Sequence, residues 1–320
     1  MSQGTLCSSR EVNPDYGYVQ FLLSTKMAAP SNVINIALSS VTTAVFHPIG
    51  YSKILIQIGH EPIASKHGKY MLWGRDAYFY PNIFQYAGHI WNTDGFFGMY
   101  TGLLPRLIGS NLGRYVQNEI LQRCTTEEKE VEEGEEDVLQ NWLKTLCAQT
   151  SKESMARICA VVASQPFHVV MIRQMAQFVG GETSYNGFFP AIREVYNTDG
   201  LKGFFSGIVP RLIGELVQIW ACNLVSSLLS RYLIDSKEIK TYVHHLCGFI
   251  ISMYTYPFTV VSNIMAVSGT DMVAAQPPNM KPYVGWVDCW THLKWQNQLN
   301  RGSKMYWRVD LVRTAALRRN

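Results

Sequence analysis

Hydrophobic and polar positions along this chain of 320 residues alternate between long charge-free runs and short polar connectors, and the runs have the lengths of membrane helices. Residues 27–52 contain no Asp, Glu, Lys or Arg, and neither do residues 241–270. A hydrocarbon core of about 30 Å needs about 20 apolar residues, so both runs are long enough to span. The pattern predicts three more spans between them: 103–122 with Arg114 and Glu119 inside, 155–177 with Arg157 and Arg173 near its ends, and 208–233 interrupted by Glu215. The odd-numbered spans each meet a proline, at His47-Pro48, Gln165-Pro166 and Tyr256-Pro257. Proline removes a backbone donor and crowds the preceding turn, so these three helices are expected to kink. The stretch 60–91, and the one rich in Trp286, Trp290 and Trp295, read as connectors lying along the membrane interface.

The pattern also repeats. Residues 92–109, NTDGFFGMYTGLLPRLIG, and 197–214, NTDGLKGFFSGIVPRLIG, agree at eleven of eighteen positions at an offset of 105. A worn third copy is expected at 301–313, with Gly302, Trp307 and Arg313 in the places of Gly200, Phe205 and Arg211. The chain then divides into a flexible polar arm (1–27), a first repeat (28–123), an acidic loop and linker (124–150), a second repeat (151–235) and a truncated third (236–320). The seven residues after Arg313 reach about 10 Å as helix, so the sixth helix is expected to be missing or a stub. The loop 125–137 carries eight acids against one lysine, which suits a solvated loop or, alternatively, a docking surface for basic segments.

Composition narrows the class. Charged residues make up 16% and hydrophobic ones 47%, where soluble domains carry about 25% charge. A mean hydropathy of −0.02 is nevertheless low for a wholly apolar bundle. Both values fit an integral membrane protein with polar surface inside it. The net charge of +4 gives no case for nucleic acid. The seven cysteines form no CxxC and read as reduced thiols. His47 and His168 lack a second ligand at helical spacing, so no metal site is expected. No phosphate loop and no nucleophile and base pair stands out, so no cofactor and no enzyme is expected. Residues 1–30 match neither a secretory signal nor a presequence, and targeting is expected to be internal.

Proline-kinked odd helices, each followed by an acid-Gly, four residues, aromatic, basic, Gly element, resemble the mitochondrial carrier family over about residues 30–313. The resemblance implies an all-α, three-repeat membrane fold. In that family each kink reads Pro-x-acid-x-x-base, and the three pairs close a gate beneath a substrate cavity. Here the acid positions hold Gly50, His168 and Thr259 and the base positions Lys53, Met171 and Ser262, so five of six gate charges are gone. The basic position of the Gly element is lost to Thr101 and Ser206. These departures are similar to the divergent carrier homologues of the outer mitochondrial membrane. That subfamily implies insertion of α-helical, tail-anchored proteins, scrambling of phospholipids and recruitment of a pro-apoptotic factor. A receptor or scaffold working through the acidic loop, and a solute carrier, are the alternatives.

Among individual residues Glu215 carries the most weight, because ionisable groups inside a membrane usually face a cavity. The bland alternative is a pair with Arg106, Arg211 or Arg114. Lys53, Arg114, Arg157, Arg173, Tyr256 and Asn263 complete the expected groove lining, with interfacial snorkelling an alternative for Lys53 and headgroup contact for Arg157 and Arg173. Pro48, Pro166, Pro257, Arg106 and Arg211 read as architecture. So do the acid-Gly pairs Asp94, Gly95 and Asp199, Gly200, which suit a helix start and a tight turn.

Overall fold

The computed structural model describes residues 29–69, 76–126, 138–232, 237–310 and 313–314. The arm at 1–27, most of the acidic loop and the last six residues lie outside the described residues.

The first apolar run forms α1 (Ala29–Val45) and α2 (His47–Ile58), separated at Phe46, with Pro48 in the first turn of α2. Gly59 ends α2 in the left-handed conformation, a standard helix stop. α3 (Ile83–Gly98) starts with a reciprocal cap: Asn82 Oδ1 accepts from the Gln85 amide at 2.8 Å, and Gln85 Oε1 accepts from the Asn82 amide at 3.2 Å. Then come α4 (Leu103–Thr126), α5 (Val138–Ala176), α6 (Phe188–Gly203), α7 (Ile208–Tyr232), α8 (Lys237–Val267) and α9 (Trp286–Trp295). Pro166 and Pro257 lie inside α5 and α8. Gly95 and Gly200 interrupt α3 and α6 at φ 74° and 64°, the positive-φ geometry that glycine adopts without penalty.

Three expectations need correction. The fold is not purely helical: β1 (Lys66–Lys69), β2 (Asp76–Tyr80) and β3 (Arg308–Val309) form an antiparallel sheet in the order β1-β2-β3, with Lys66 opposite Phe79 and Phe79 opposite Val309. The first connector is therefore a strand pair and a helix, completed by the chain's last described residues. Second, α5 begins 17 residues before the expected Met155 (155 − 138). Its first turns pack on the end of α7, where Trp142 Nε1 donates to Ser227 Oγ at 3.0 Å and the Arg231 guanidinium lies 5.2 Å from the Trp142 ring centre. Third, among the described residues only α5, α7 and α8 are long and apolar enough to cross a membrane. α1 stops after 17 residues, and α4 is long enough but carries Arg106, Asn111, Arg114, Gln117 and Glu119.

Helices α1 and α2 begin a succession in which α1 lies on α4, α4 on α5, α5 on α7, and α7 on α8, while α2 returns to meet α5 and α8. The core sits at the proline end, built from Tyr51, Leu55 and Ile56 of α2, Ile172 and Met175 of α5, Ile264 of α8, and Tyr86 and Leu293 from the connectors. At the other end large apolar side chains face outward, among them Leu38, Val41, Trp220, Leu246, Phe249 and Met253. Trp91, Phe97, Phe189 and Trp295 on the connector helices are exposed as well.

Candidate functional site

The residue before each repeat's proline makes the same bond. His47 Nε2 donates to the Thr101 carbonyl at 3.0 Å, Gln165 Nε2 to Ser206 O at 2.9 Å, and Tyr256 OH to Arg301 O at 2.9 Å. Each accepting carbonyl precedes a glycine at positive φ: Gly102 (81°), Gly207 (71°) and Gly302 (77°). At these glycines a Cβ would press on Met171 O, Ser262 O and the Tyr256 hydroxyl respectively. The third copy is thereby re-registered. Gly302 stands where Gly207 stands, an offset of 95 (302 − 207) and not 102, so Trp307 and Arg313 are not counterparts of Phe205 and Arg211. Arg301-Gly302 was the readable signal, because it keeps the basic-Gly pair that the other two repeats lost.

Near the former gate positions the helices are joined by neutral groups. Asn263 Nδ2 donates to Gln57 Oε1 at 2.7 Å, Gln57 Nε2 to Tyr256 OH at 2.8 Å, and His168 Nε2 lies 3.2 Å from Asn263 Oδ1. Arg301 Nε fastens the Gln57 carbonyl at 3.0 Å, and burial pushes its guanidinium down to about 10. Lys53 Nζ rests 5.0 Å from the Tyr256 ring centre, a cation–π contact. Arg106 lies against Gly50, with Nη1 3.5 Å from His47 Nδ1. Lys53, Tyr256 and Asn263 thus belong to a sealed end. Gln57 and Arg301, which hold it together, were missed, although Gln57 follows Lys53 by one helical turn.

Two expected groove residues behave differently. Arg173 is 0% exposed, donates Nη2 to Asp199 Oδ2 at 2.5 Å and Nε to Ala266 O at 3.0 Å, and so binds α5 to α6 and the end of α8. It lines no groove, because its position two turns past Pro166 points into the packed end. Asp94 is the counterpart of Asp199, and Leu55, seven residues past Pro48, holds the position that Arg173 holds past Pro166 in the second repeat. Asp94 has no ion-pair partner among the described residues, and burial raises its carboxyl above the ordinary range. Arg114 reaches Ser39 Oγ and Asn111 reaches Ser40 Oγ at 3.3 Å, holding α1 to α4.

Glu215 is not unpaired, and its partner is none of the arginines expected. Arg157 grips it with both faces of the fork, Nε to Oε2 at 3.1 Å and Nη2 to Oε1 at 2.9 Å, while Nη1 donates to Gln117 Oε1 at 3.2 Å. The side chains remain 35% and 27% exposed. One turn earlier Arg211 donates to Gln165 Oε1 at 2.7 Å. Arg211, Glu215, Gln218, Cys222 and Ser226 recur at intervals of four, three, four and four residues, so they share one face of α7 and extend about 22 Å along it. Gln218 Oε1 accepts from Thr255 Oγ1 of α8 at 3.2 Å, Asn223 Nδ2 donates to Glu153 Oε2 at 2.6 Å, and Ser226 Oγ lies 3.1 Å from His244 Nδ1. The result is a polar track along α7, flanked by α5 and α8. Among the described residues no group of three or more His, Cys, Asp or Glu is placed to hold a metal, and the six described cysteines are free.

A profile described as "Mitochondrial carrier protein" matches residues 31–122 and 146–237, which is 184 of 320 residues (92 + 92). The chain belongs to the mitochondrial carrier family. Both matched segments are the first two repeats, and the third, re-registered above, lies outside them. Within the family it groups with the carrier homologues. It is 37% identical to "Mitochondrial carrier homolog 2" of Bos taurus over 281 residues, 85% of this chain and 92% of that one. It is 33% identical to "Mitochondrial carrier homolog 1" of Mus musculus over 303 residues, 88% and 77% of the two chains. The likeness to "Solute carrier family 25 member 16" of Homo sapiens, 31%, spans 132 residues and 35% of this chain. Carrier-family membership together with three apolar helices of spanning length gives a mitochondrial membrane protein.

Proposed function

We propose that this carrier homologue inserts α-helical proteins, tail-anchored ones among them, into the outer mitochondrial membrane, using the polar track of α7 as a laterally open groove. The observation that supports this most is the partly exposed Arg157–Glu215 pair near one end of a polar face of about 22 Å on spanning helices. Carrying a charged side chain through a bilayer centre costs about 3 kcal/mol on insertion scales and more in simulations. A track of hydrogen-bonding groups lowers that barrier for a client's short hydrophilic end, and about 20 apolar residues then move sideways into lipid. The step is downhill, so the protein works without a nucleotide and is no enzyme. In this reading the fold is a carrier bent at its three prolines and lacking the sixth helix, whose absence opens the groove. Phospholipid headgroups can ride the same track, so scrambling is a second output.

The packed proline end weighs against solute exchange, since alternating access would have to break the Gln57–Asn263–Tyr256 bonds with no gate ion pair to re-form. Insertion of a single-span, tail-anchored client into liposomes, scored by protease protection of its tail, tests the proposal. Protection that depends on the protein and changes in Glu215→Arg is expected. Protection equal with and without folded protein would end it.

A further inference from the structure

Near the far end of the track lies a cleft of about 350 Å³ that shares Gln218 and Cys222 with the track and adds groups of its own. α5 contributes Glu153, α7 contributes Gln218, Cys222 and Asn223, and α8 contributes His244 and His245. Glu153 differs from Glu215 on the same track: no Lys or Arg among the described residues stands within ion-pair distance, and its one bond is from Asn223 Nδ2 at 2.6 Å. Asn223 spends Nδ2 on both Glu153 and Thr150 Oγ1, at 3.3 Å, which leaves its Oδ1 as an acceptor. The cleft therefore combines a carboxylate with no Lys or Arg partner among the described residues, an amide oxygen and two imidazoles.

That set asks for a cation with several N–H donors. Quaternary ammonium groups are held by the faces of Trp, Tyr or Phe, and none of these lines the cleft. A guanidinium pairs best with both oxygens of a carboxylate, one of which Asn223 engages here. Metal ions want three or more side-chain ligands, and no such group occurs among the described residues. A primary ammonium, with three donors, matches the acceptors present. Depth points to its carrier. Asn223 precedes Tyr232 by nine residues and His244 follows Lys237 by seven, placing the cleft about 10–13 Å from the helix ends. A headgroup reaches that level in a bilayer about 40–45 Å thick overall.

We propose that this cleft binds a primary ammonium group, presented by a phospholipid headgroup of the ethanolamine class, with Glu153 as counter-ion and the imidazoles of His244 and His245 beside the phosphodiester. The site needs neither insertion nor scrambling, so its failure and theirs are separable. The full chain in detergent is offered equimolar ethanolamine and choline phospholipids with identical acyl chains, and the lipid that stays bound is weighed by native mass spectrometry. Enrichment of the ethanolamine lipid by about threefold or more is expected in the wild type, falling to equal binding in Glu153→Gln, which keeps the size and the bond from Asn223. A second arm adds soluble phosphoethanolamine or phosphocholine as competitor to the wild type, with no variant involved. Displacement by phosphoethanolamine alone identifies the ammonium as the recognised group independent of tails; enrichment that neither competitor disturbs identifies the intact lipid as the ligand. Equal retention of both lipids by the wild type, equal displacement by both competitors, or a preference that survives in folded Glu153→Gln overturns the proposal.

Discussion

The two ends of the bundle use the same helices for opposite purposes. At the proline end His47, Gln165 and Tyr256 bond to their own repeats, Gln57, Asn263 and His168 link α2, α8 and α5, and Arg173 is buried against Asp199. Further along α5 and α7, Arg157 and Glu215 keep about a third of their surface in the open and Glu153 has no Lys or Arg partner among the described residues. Polar groups at one end are consumed in holding the structure together; at the other they remain available. A carrier that alternates would need both ends to do both things. Here the labour is divided, as the proposed static groove requires.

The contrast is broken most severely at the buried ion pair. Arg173→Ala leaves Asp199 half-enclosed with no base, and losing one partner of a buried pair costs about 3–5 kcal/mol, so loss of the folded, monodisperse protein in size-exclusion chromatography is expected. Gly207→Ala comes next: a positive φ of 71° and a Cβ pressed on Ser262 O should cost at least about 1–2 kcal/mol, read as a lowered melting temperature, whereas Gly181→Ala, also at positive φ but in open space, should cost less. Gln57→Ala leaves Asn263 Nδ2 without its acceptor, and about 1–3 kcal/mol follows for a buried unsatisfied group, together with leakage of small solutes through reconstituted vesicles. At the open end Glu215→Arg should leave stability within about 1 kcal/mol, since partly exposed pairs contribute little, yet alter client insertion; restoring the pair in reverse with Arg157→Glu in the same chain should recover insertion.

The smallest effect is a pH dependence. Burial, with His89 nearby, holds His60 below the ordinary histidine range. The unfolded chain then binds a proton that the folded one refuses, so stability falls as pH drops through about 6.5 and levels off below the folded value. His60→Gln should flatten part of that slope in melting curves between neutral and mildly acidic buffer.

How much of this was readable follows from what sets each feature. Helix order, the prolines and the NTDG blocks are local patterns, and α7 begins at the expected residue. Glu215 was readable as a candidate because a carboxylate in an apolar run is conspicuous, but its partner was not, since Arg157 lies 58 residues away on another helix and nothing in local spacing selects it over Arg211. The sheet was invisible for the same reason: β1 reads KHGK and β3 only RV, too short for alternation to register. Trp307 and Arg313 matched the repeat by residue type alone, and the backbone of Gly302 set the true register. Arg173 looked like a groove residue because sequence reports a charge within an apolar run but not which way the helix turns it.

One tie has a consequence for how the chain assembles. The Arg308 guanidinium bonds to Glu61 and Pro81 O, Ser65 Oγ to Asp310 Oδ2 at 2.8 Å, and Asn263 and Arg301 to Gln57, so residues about 200–250 positions apart close the proline end. Contacts of such long sequence separation form late, because the loop between them must be ordered first. The helices that carry the groove are neighbours in the chain and can meet early, while α2 waits for the last hundred residues. During biogenesis the polar track would form before the proline end closes, and a chain halted before residue 301 would lack the Arg301 bonds to Gln57 and Tyr256 that fasten that end.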